Sequence, residues 1–112
     1  FIIERGGRVK LAAIDEPPLD YDQAQGAFEE TLKHERFVTE RINKLVALAR
    51  KESDFATDNF LQWFIAEQVE EEASADEILQ QLKLAGNTGN GLFMIDQELA
   101  ARVFVPPTTQ GA

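Results

Sequence analysis

The stretch from residue 60 to residue 82 constrains the fold more than any other part of this chain. At about 100° per residue, its large apolar side chains fall on one side of a helix, which predicts a long amphipathic α-helix. The side chains on this stripe are Phe60, Leu61, Phe64, Ala75, Ile78, Leu79 and Leu82. A stripe of this kind faces a core, so the chain is expected to fold as packed helices.

Polar side chains interrupt the centre of this stripe. By the same angular count, Gln68 and Glu71 lie on the apolar face, and Glu67 lies at its margin. Burying an unpaired carboxylate is unfavourable, so we expect a counter-charge beside these groups. The chain has no cysteine, and its carboxylate and amide oxygens suit a hard or borderline cation such as iron, manganese or calcium.

A second amphipathic helix is predicted upstream, from a cap at Asp20 or Asp22 to about Glu52. Its apolar stripe consists of Ala24, Phe28, Leu32, Val38, Ile42, Leu45, Val46 and Ala49. Glu35 lies at the centre of that stripe, so a carboxylate is expected in the middle of the core from this helix as well. The single histidine, His34, lies about 100° away around the helix and is interpreted as a surface or helix-pairing residue rather than a ligand.

The short turn at residues 51–54 predicts that these two helices pack antiparallel. Ser53 or Asp54 is expected to cap the downstream helix, which should end near Ala85. The segment 86–91, rich in glycine and asparagine, is then expected to form a flexible loop.

Shorter elements are predicted after this loop. A third helix is expected from Leu92 to about Phe104, because apolar side chains recur at helical spacing there. Pro106 and Pro107 should stop it, and residues 108–112 should form a disordered tail.

The beginning of the chain predicts a helix end and a long connection. Residues 1–7 match the last turn of a helix closed by a glycine C-cap. Farther along, Pro17 and Pro18 exclude helix from the residues around them. Residues 8–20 are therefore interpreted as a crossover without regular structure, of the kind that joins parallel neighbours. A strand over residues 8–14 is the alternative, but its apolar residues alternate poorly.

Antiparallel packing brings positions near the middle of the two long helices to the same level. Glu35 from one helix and Gln68 and Glu71 from the other are then expected to converge, as the metal-binding side chains of helix bundles do. A run of glutamates more often forms a solvated acidic face, and that interpretation stays open for Glu70 and Glu72. The angular positions of Glu35, Gln68 and Glu71 around their helices, and their shared height along the hairpin, together favour metal binding by these three residues.

Composition narrows the classes of function. A formal net charge of −9 argues against nucleic acid as a partner and favours the attraction of cations. Disulfides and thiolate metal sites are excluded by the absence of cysteine, and we take the cytoplasm as the expected location. No Ser/His/Asp arrangement, glycine-rich phosphate loop or basic patch supports nucleophilic or nucleotide chemistry.

Five segments of the chain resemble, in order, the second half of a prokaryotic non-haem ferritin subunit. They are ERGGRV, AFEETLKHE, ATDNFLQWFIAEQVEEE, ADEILQQLKLAG and GLFMIDQELAAR. The resemblance implies an all-α, ferritin-like four-helix bundle. This chain would supply the end of the second helix (1–7), the crossover (8–20), and the third, fourth and short fifth helices of a single domain (21–112).

The resemblance also implies a function and a set of ligands. Members of that family store iron: they oxidise Fe(II) at a di-iron centre inside each bundle and deposit ferric mineral inside a homo-oligomeric cage, typically of 24 subunits. Glu35, Gln68 and Glu71 match the third- and fourth-helix positions at that centre. Glu67, Glu70 and Glu71 match a further iron site of the bacterial members. Non-haem iron, Fe(II) and Fe(III), is therefore the implied metal.

One departure limits this resemblance. The family also takes a glutamate from its first helix and a Glu-x-x-His pair from its second, and nothing in this chain matches them. We expect these helices to belong to a longer subunit, and ferroxidase activity is expected only where they are present. The alternatives are a non-catalytic half-subunit that only assembles and another di-iron carboxylate protein, such as a rubrerythrin-like peroxidase.

Overall fold

The computed structural model describes residues 1–103, which form three α-helices and no strand. In chain order the helices are α1 (Ala24–Lys51), α2 (Phe55–Ala85) and α3 (Gly89–Ala100). The all-α fold class expected from the sequence is confirmed. Over the same residues, no helix is long and apolar enough to cross a lipid bilayer. Helix α3 ends at Ala100, about four residues before the end that was predicted near Phe104. The double-proline stop and the disordered tail predicted over residues 106–112 lie outside the described part of the chain.

Helices α1 and α2 pack antiparallel, as the short turn between them predicted. Next to that turn, the Arg50 guanidinium donates to the Asp58 carboxylate at 2.9 Å. Farther along the pair, the Gln68 amide of α2 donates to Glu35 of α1. The residue numbers of these contacts rise on one helix as they fall on the other, so the two apolar stripes face each other along the hairpin.

The larger part of the apolar core lies at the end of the hairpin remote from the turn, where α3 packs against α2. Its buried members are Leu32 of α1, Ala75, Ile78, Leu79 and Leu82 of α2, and Ile95 of α3. We call this the α3 end. At the opposite end, the turn end, Phe60 and Trp63 keep 41% and 47% of their surface exposed, and the Trp63 ring meets Phe64 edge-on at 4.9 Å. Val46, Ala49 and Leu61 are nevertheless buried at the turn end, so that end combines a smaller apolar core with an open aromatic surface.

The two long helices begin in different ways. At α2 one of the two predicted caps is confirmed: the residue is Asp54 rather than Ser53, and its carboxylate accepts from the Thr57 backbone N–H at 3.1 Å. At α1 the predicted aspartate cap is wrong. The cap residue is Gln23, whose carbonyl oxygen accepts from the Ala27 N–H at 3.2 Å and whose side chain makes no capping hydrogen bond. Helix α1 therefore begins beyond both predicted caps, Asp20 and Asp22.

Helix α3 begins inside the segment that was interpreted as a flexible loop. Its cap residue is Thr88, whose carbonyl accepts from the Leu92 N–H at 3.1 Å and whose hydroxyl donates to the Ala85 carbonyl at 2.7 Å. A Cβ atom at Gly91 would lie only 2.7 Å from the Ala85 Cβ. Gly91 thus permits the close approach of α3 to the end of α2, which glycine content alone did not reveal.

Residues 1–7 form a turn with the hydrogen bonds of a helix C-terminus. The Gly7 N–H donates to the Ile2 carbonyl at 2.8 Å, and the Gly6 N–H donates to the Ile3 carbonyl at 2.9 Å. Gly6 has a φ of +77°, the left-handed conformation with which many helices end.

This N-terminal turn docks on the turn end of the hairpin. The Phe1 ring stacks on Phe60 with 4.1 Å between ring centroids, and the Arg5 guanidinium donates to the Asp54 carboxylate that caps α2. Residues 8–20 follow without helix or strand. The division of the chain into helix end, crossover and helical domain stays a prediction, and the docked turn is the feature that fits it best.

Candidate metal centre

A carboxylate and an amide meet between α1 and α2, well inside the hairpin. The Gln68 Nε2 group lies 3.2 Å from Glu35 Oε2 and 3.1 Å from the Glu35 backbone carbonyl oxygen, and both atoms accept from it. Gln68 is 8% exposed and is the one buried polar residue in the part of the chain that the structure describes. The side chain that interrupted the apolar stripe of α2 therefore points toward α1, beside the carboxylate that interrupted the other stripe.

Two further side chains extend this contact by one helical turn. Thr39 is four residues from Glu35, and Glu72 is four residues from Gln68, so each lies on the same face as its neighbour. The Thr39 Oγ1 accepts from Gln68 Nε2 at 3.2 Å and donates to Glu72 Oε1 at 2.6 Å. The other Glu72 oxygen lies 3.8 Å from the Arg36 guanidinium. A continuous hydrogen-bonded chain thus links the two helices.

The predicted site residues fall into two groups. Glu35 and Gln68 are in contact, as described above. Glu67 is half-buried, and Glu70 and Glu71 are exposed; within residues 1–103, none of these three makes a hydrogen bond or ion pair through its side chain. No group of three or more His, Asp or Glu side chains in that range is placed to hold a metal ion. The hairpin alone therefore presents one carboxylate–amide pair, with further carboxylates on neighbouring faces of α2.

Thr39 and Glu72 were missed as members of this centre. Glu72 was left open as part of a solvated face, yet it is half-buried and bonded to α1. The signal that could have found both residues is the spacing of four from Glu35 and from Gln68, which defines one helix face. An open groove of about 350 Å³ runs beside them, lined by Thr39, Ile42, Asn43, Ile65, Gln68, Val69 and Glu72.

His34 lies on the surface of α1. Its ring is exposed, tilts against Phe37 with 6.3 Å between ring centroids, and has its Nδ1 atom 4.0 Å from Glu35 Oε1. The interpretation as a surface residue fits this position.

The clearest pKa shift in the described chain lies at the turn end rather than at this centre. The pKa of the Asp54 carboxyl falls from 3.8 to about 2 because the Thr57 hydroxyl, the Arg5 guanidinium and the Thr57 backbone N–H all donate to it. The Arg50 guanidinium likewise lowers the pKa of Asp58. Both carboxylates are ionised structural partners that hold the turn, the α2 cap and the N-terminal turn together.

An inward carboxylate and an inward amide on facing antiparallel helices form the kind of arrangement with which helix bundles hold metal ions. The sequence profile of the Ferritin-like domain matches residues 1–85, and the chain belongs to the ferritin family. The sequence-based identification of that family is confirmed.

Named relatives agree with this assignment. The chain is 38% identical over 100 residues to a bacterial non-heme ferritin of Escherichia coli O6:H1, which covers 89% of this chain and 61% of the relative. It is 36% identical over 104 residues to a bacterial non-heme ferritin of Staphylococcus aureus strain USA300, covering 93% and 63%. The chain thus spans about three fifths of the length of these relatives.

Solved structures show the same fold. An open pore ferritin from the hyperthermophilic archaeon Archaeoglobus fulgidus superposes with a TM-score of 0.88 at 53% identity, over 91% of this chain and 63% of that one. A humanized archaeal ferritin superposes with a TM-score of 0.90 at 48% identity, over 93% and 63%. The ferritin-like fold expected from the sequence is therefore confirmed for the helices of this chain.

Proposed function

We propose that this chain is part of an iron-storage ferritin subunit that oxidises Fe(II) at a two-iron centre. Membership of the ferritin family and relatives named bacterial non-heme ferritin support this function. The observation that carries the location of the centre is the contact of Glu35 with Gln68 between α1 and α2. It places the Glu35 carboxylate beside the Gln68 amide between facing helices, and the oxygen atoms of both groups are ligand types that suit Fe(II).

In this proposal the residues of the centre have separate roles. Glu35 binds Fe(II) through its carboxylate, and Gln68 offers its amide oxygen to the same region. Glu71 binds iron from the next position around α2, where its exposed side chain is free of hydrogen-bonding partners within residues 1–103. Glu67 and Glu70 hold a third iron together with Glu71 and relay it. The glutamate and the Glu-x-x-His pair that the family resemblance implies would come from outside these helices.

Iron is the substrate of the proposed reaction. Each bound Fe(II) gives up one electron, and two such electrons with two protons convert dioxygen to hydrogen peroxide, or hydrogen peroxide to two water molecules. The carboxylates compensate the charge that each iron gains on oxidation, which favours Fe(III) over Fe(II). A net charge of −9 raises the local concentration of cations around the protein and so assists delivery.

Assembly and location belong to the same proposal. We expect a homo-oligomeric cage of about 24 subunits, as the family resemblance implies, located in the cytoplasm. Exposed apolar side chains on the crossover support burial against other surfaces, since Leu11, Ile14 and Leu19 keep 89%, 95% and 78% of their surface exposed.

Anaerobic addition of Fe(II) to the intact protein, followed by exposure to oxygen, tests the proposal. Wild-type protein should form ferric iron rapidly and retain it, whereas Glu35→Ala should lose about 100-fold or more in initial rate because a direct ligand is removed. The matched control is Glu77→Ala, which removes an exposed carboxylate six residues beyond Glu71 on α2. This variant should keep the wild-type rate.

Three outcomes separate the alternatives. Equal rates in Glu35→Ala and wild-type protein would refute the centre proposed here. A protein that assembles but neither binds nor oxidises Fe(II) would be the non-catalytic half-subunit. A protein that turns over peroxide with an external electron donor, without retaining ferric iron, would be the rubrerythrin-like alternative.

A further inference from the structure

We propose that Thr39 and Glu72 are positioning residues. They hold the Gln68 side-chain amide in one of its two flipped orientations, the one that leaves its Oε1 atom available to iron. This inference rests on the proposed function, because it concerns how the same centre receives Fe(II). Neither residue is assigned a role by the family resemblance.

The direction of the hydrogen bonds follows from the chemistry of their members. An ionised carboxylate only accepts hydrogen bonds, so the single hydroxyl hydrogen of Thr39 must be the one donated to Glu72 over 2.6 Å. The Thr39 oxygen can then only accept from its other neighbour, which is the Nε2 group of Gln68 at 3.2 Å. Glu72 thus determines that Thr39 presents a lone pair, rather than a hydrogen, to Gln68.

Two more acceptors lie on the same side of the Gln68 amide. The Glu35 backbone carbonyl and the Glu35 carboxylate both accept from Nε2, at 3.1 Å and 3.2 Å. A flipped amide would place Oε1 against three oxygen atoms with no hydrogen between them, so Nε2 must face α1. The Oε1 atom therefore points away from these acceptors.

Oε1 remains open for a ligand. No hydrogen bond to it occurs within residues 1–103, and every fully buried side-chain nitrogen or oxygen atom in that range has a partner, so Oε1 must retain solvent access. A carbonyl oxygen held in one orientation, with no bond to break first, can take a place beside a hard or borderline cation.

The number of acceptors adds a second consequence. An amide NH2 group has two hydrogens, and here three acceptors share them. When Fe(II) draws the Glu35 carboxylate away, the Glu35 carbonyl and the Thr39 hydroxyl oxygen remain, one for each hydrogen. The Glu35 carboxylate can therefore bind iron without leaving a Gln68 N–H group unsatisfied, but only while Thr39 presents its lone pair.

The test compares Thr39→Val with Thr39→Ser in the intact protein. Valine has the shape of threonine without the hydroxyl, so Fe(II) affinity in an anaerobic titration should fall by about tenfold, as is typical when a residue that orients a metal ligand is lost. Serine retains the hydroxyl and should keep affinity within about twofold of wild type. Glu77→Ala serves as the control for loss of a carboxylate elsewhere on α2.

A double-mutant cycle distinguishes positioning from general damage. In a Gln68→Ala background, Thr39→Val should cause no further loss of Fe(II) affinity, because its effect passes through the Gln68 amide. An equal loss in both backgrounds, or wild-type affinity in Thr39→Val, would overturn the inference while leaving the proposed function intact. A wild-type protein that binds no Fe(II) would instead overturn the proposed function, and this inference with it.

Discussion

Apolar burial and ionic hydrogen bonds contribute in different proportions at the two ends of the helical hairpin. At the α3 end, aliphatic side chains from all three helices are buried, with Leu79 and Leu82 at 4% exposure. At the turn end fewer apolar side chains are buried, namely Val46, Ala49 and Leu61. Ionised side chains add to them: Arg50 bonds to Asp58, and Arg5 bonds to the carboxylate that caps α2. Burial is insensitive to pH and depends on shape, whereas exposed ionic hydrogen bonds depend on protonation and contribute less. The same pair of helices should therefore lose more stability from a substitution at its α3 end, and should depend more on pH at its turn end.

The largest effect is expected from removing a core side chain at the α3 end. Leu79→Ala should lower the free energy of unfolding by about 2–5 kcal/mol, because it opens a cavity among packed aliphatic groups. Leu84→Ala, five residues along the same helix at 88% exposure, should change it by less than about 0.5 kcal/mol. Denaturant unfolding of the intact protein measures both, and similar losses would show that Leu84 is covered in the assembly.

A glycine pair tests the close approach of α3 to α2. Gly91→Ala should destabilise by about 1–3 kcal/mol, because the new Cβ would lie 2.7 Å from the Ala85 Cβ. Gly26→Ala in α1 has no atom within 4 Å of its new Cβ and should stabilise by about 0.5–1 kcal/mol through helix propensity. The midpoint temperature of thermal unfolding should therefore fall in Gly91→Ala and rise in Gly26→Ala. A shift in the same direction for both variants would mean that α3 can move away from α2 at little cost.

The turn end should weaken in acid. The folded-state pKa of Asp54 lies at about 2, below its ordinary value of 3.8, so its contribution is present above about pH 4 and is lost as the pH falls toward 2. Asp54→Asn cannot ionise and should unfold with a shallower dependence on pH across that window. Unfolding curves at several pH values below 5 measure the slope, and equal slopes for variant and wild type would contradict a role for this carboxylate.

The smallest effect is expected at the hairpin turn itself. Ser53 has a φ of +57°, a left-handed conformation that is unfavourable for a residue with a side chain. Ser53→Gly should stabilise by up to about 1 kcal/mol, since relief of strain exceeds the added flexibility of the unfolded chain. Gly6→Ala places a side chain at a φ of +77° and should have the opposite sign. Differential scanning calorimetry resolves changes of this size, and a destabilised Ser53→Gly variant would show that the turn is relaxed as it stands.

Helical periodicity predicted the scaffold of this chain well. The hairpin and the meeting of Glu35 with Gln68 follow from spacing, because a regular helix fixes the direction of every side chain to within a fraction of a turn. The cap of α2 was narrowed by residue type to Ser53 or Asp54, and the structure selects Asp54. The start of α3 did not follow, since the contact between Gly91 and Ala85 joins two separate helices and leaves no local signal.

Periodicity also could not predict which glutamates of the acidic run on α2 face α1 and which face solvent. Glu71 and Glu72 are neighbours, and about 100° of rotation separates them on the helix. Glu72 bonds to Thr39 and lies near Arg36, both on α1, whereas Glu71 is exposed. Which glutamate faces the other helix depends on the partner that helix presents, and that information lies more than thirty residues away in the chain.

The placement of Trp63 gives this protein an internal optical probe. It is the single tryptophan of the chain, it lies at the turn end, and the residue keeps 47% of its surface exposed. Gln68 is five residues farther along the same helix, a rise of about 7.5 Å. Emission from this one indole should therefore shift to shorter wavelength when another surface covers the turn end, and should be quenched when iron occupies the region beside Gln68. One fluorescence spectrum would thus report both assembly and iron loading, without any added label.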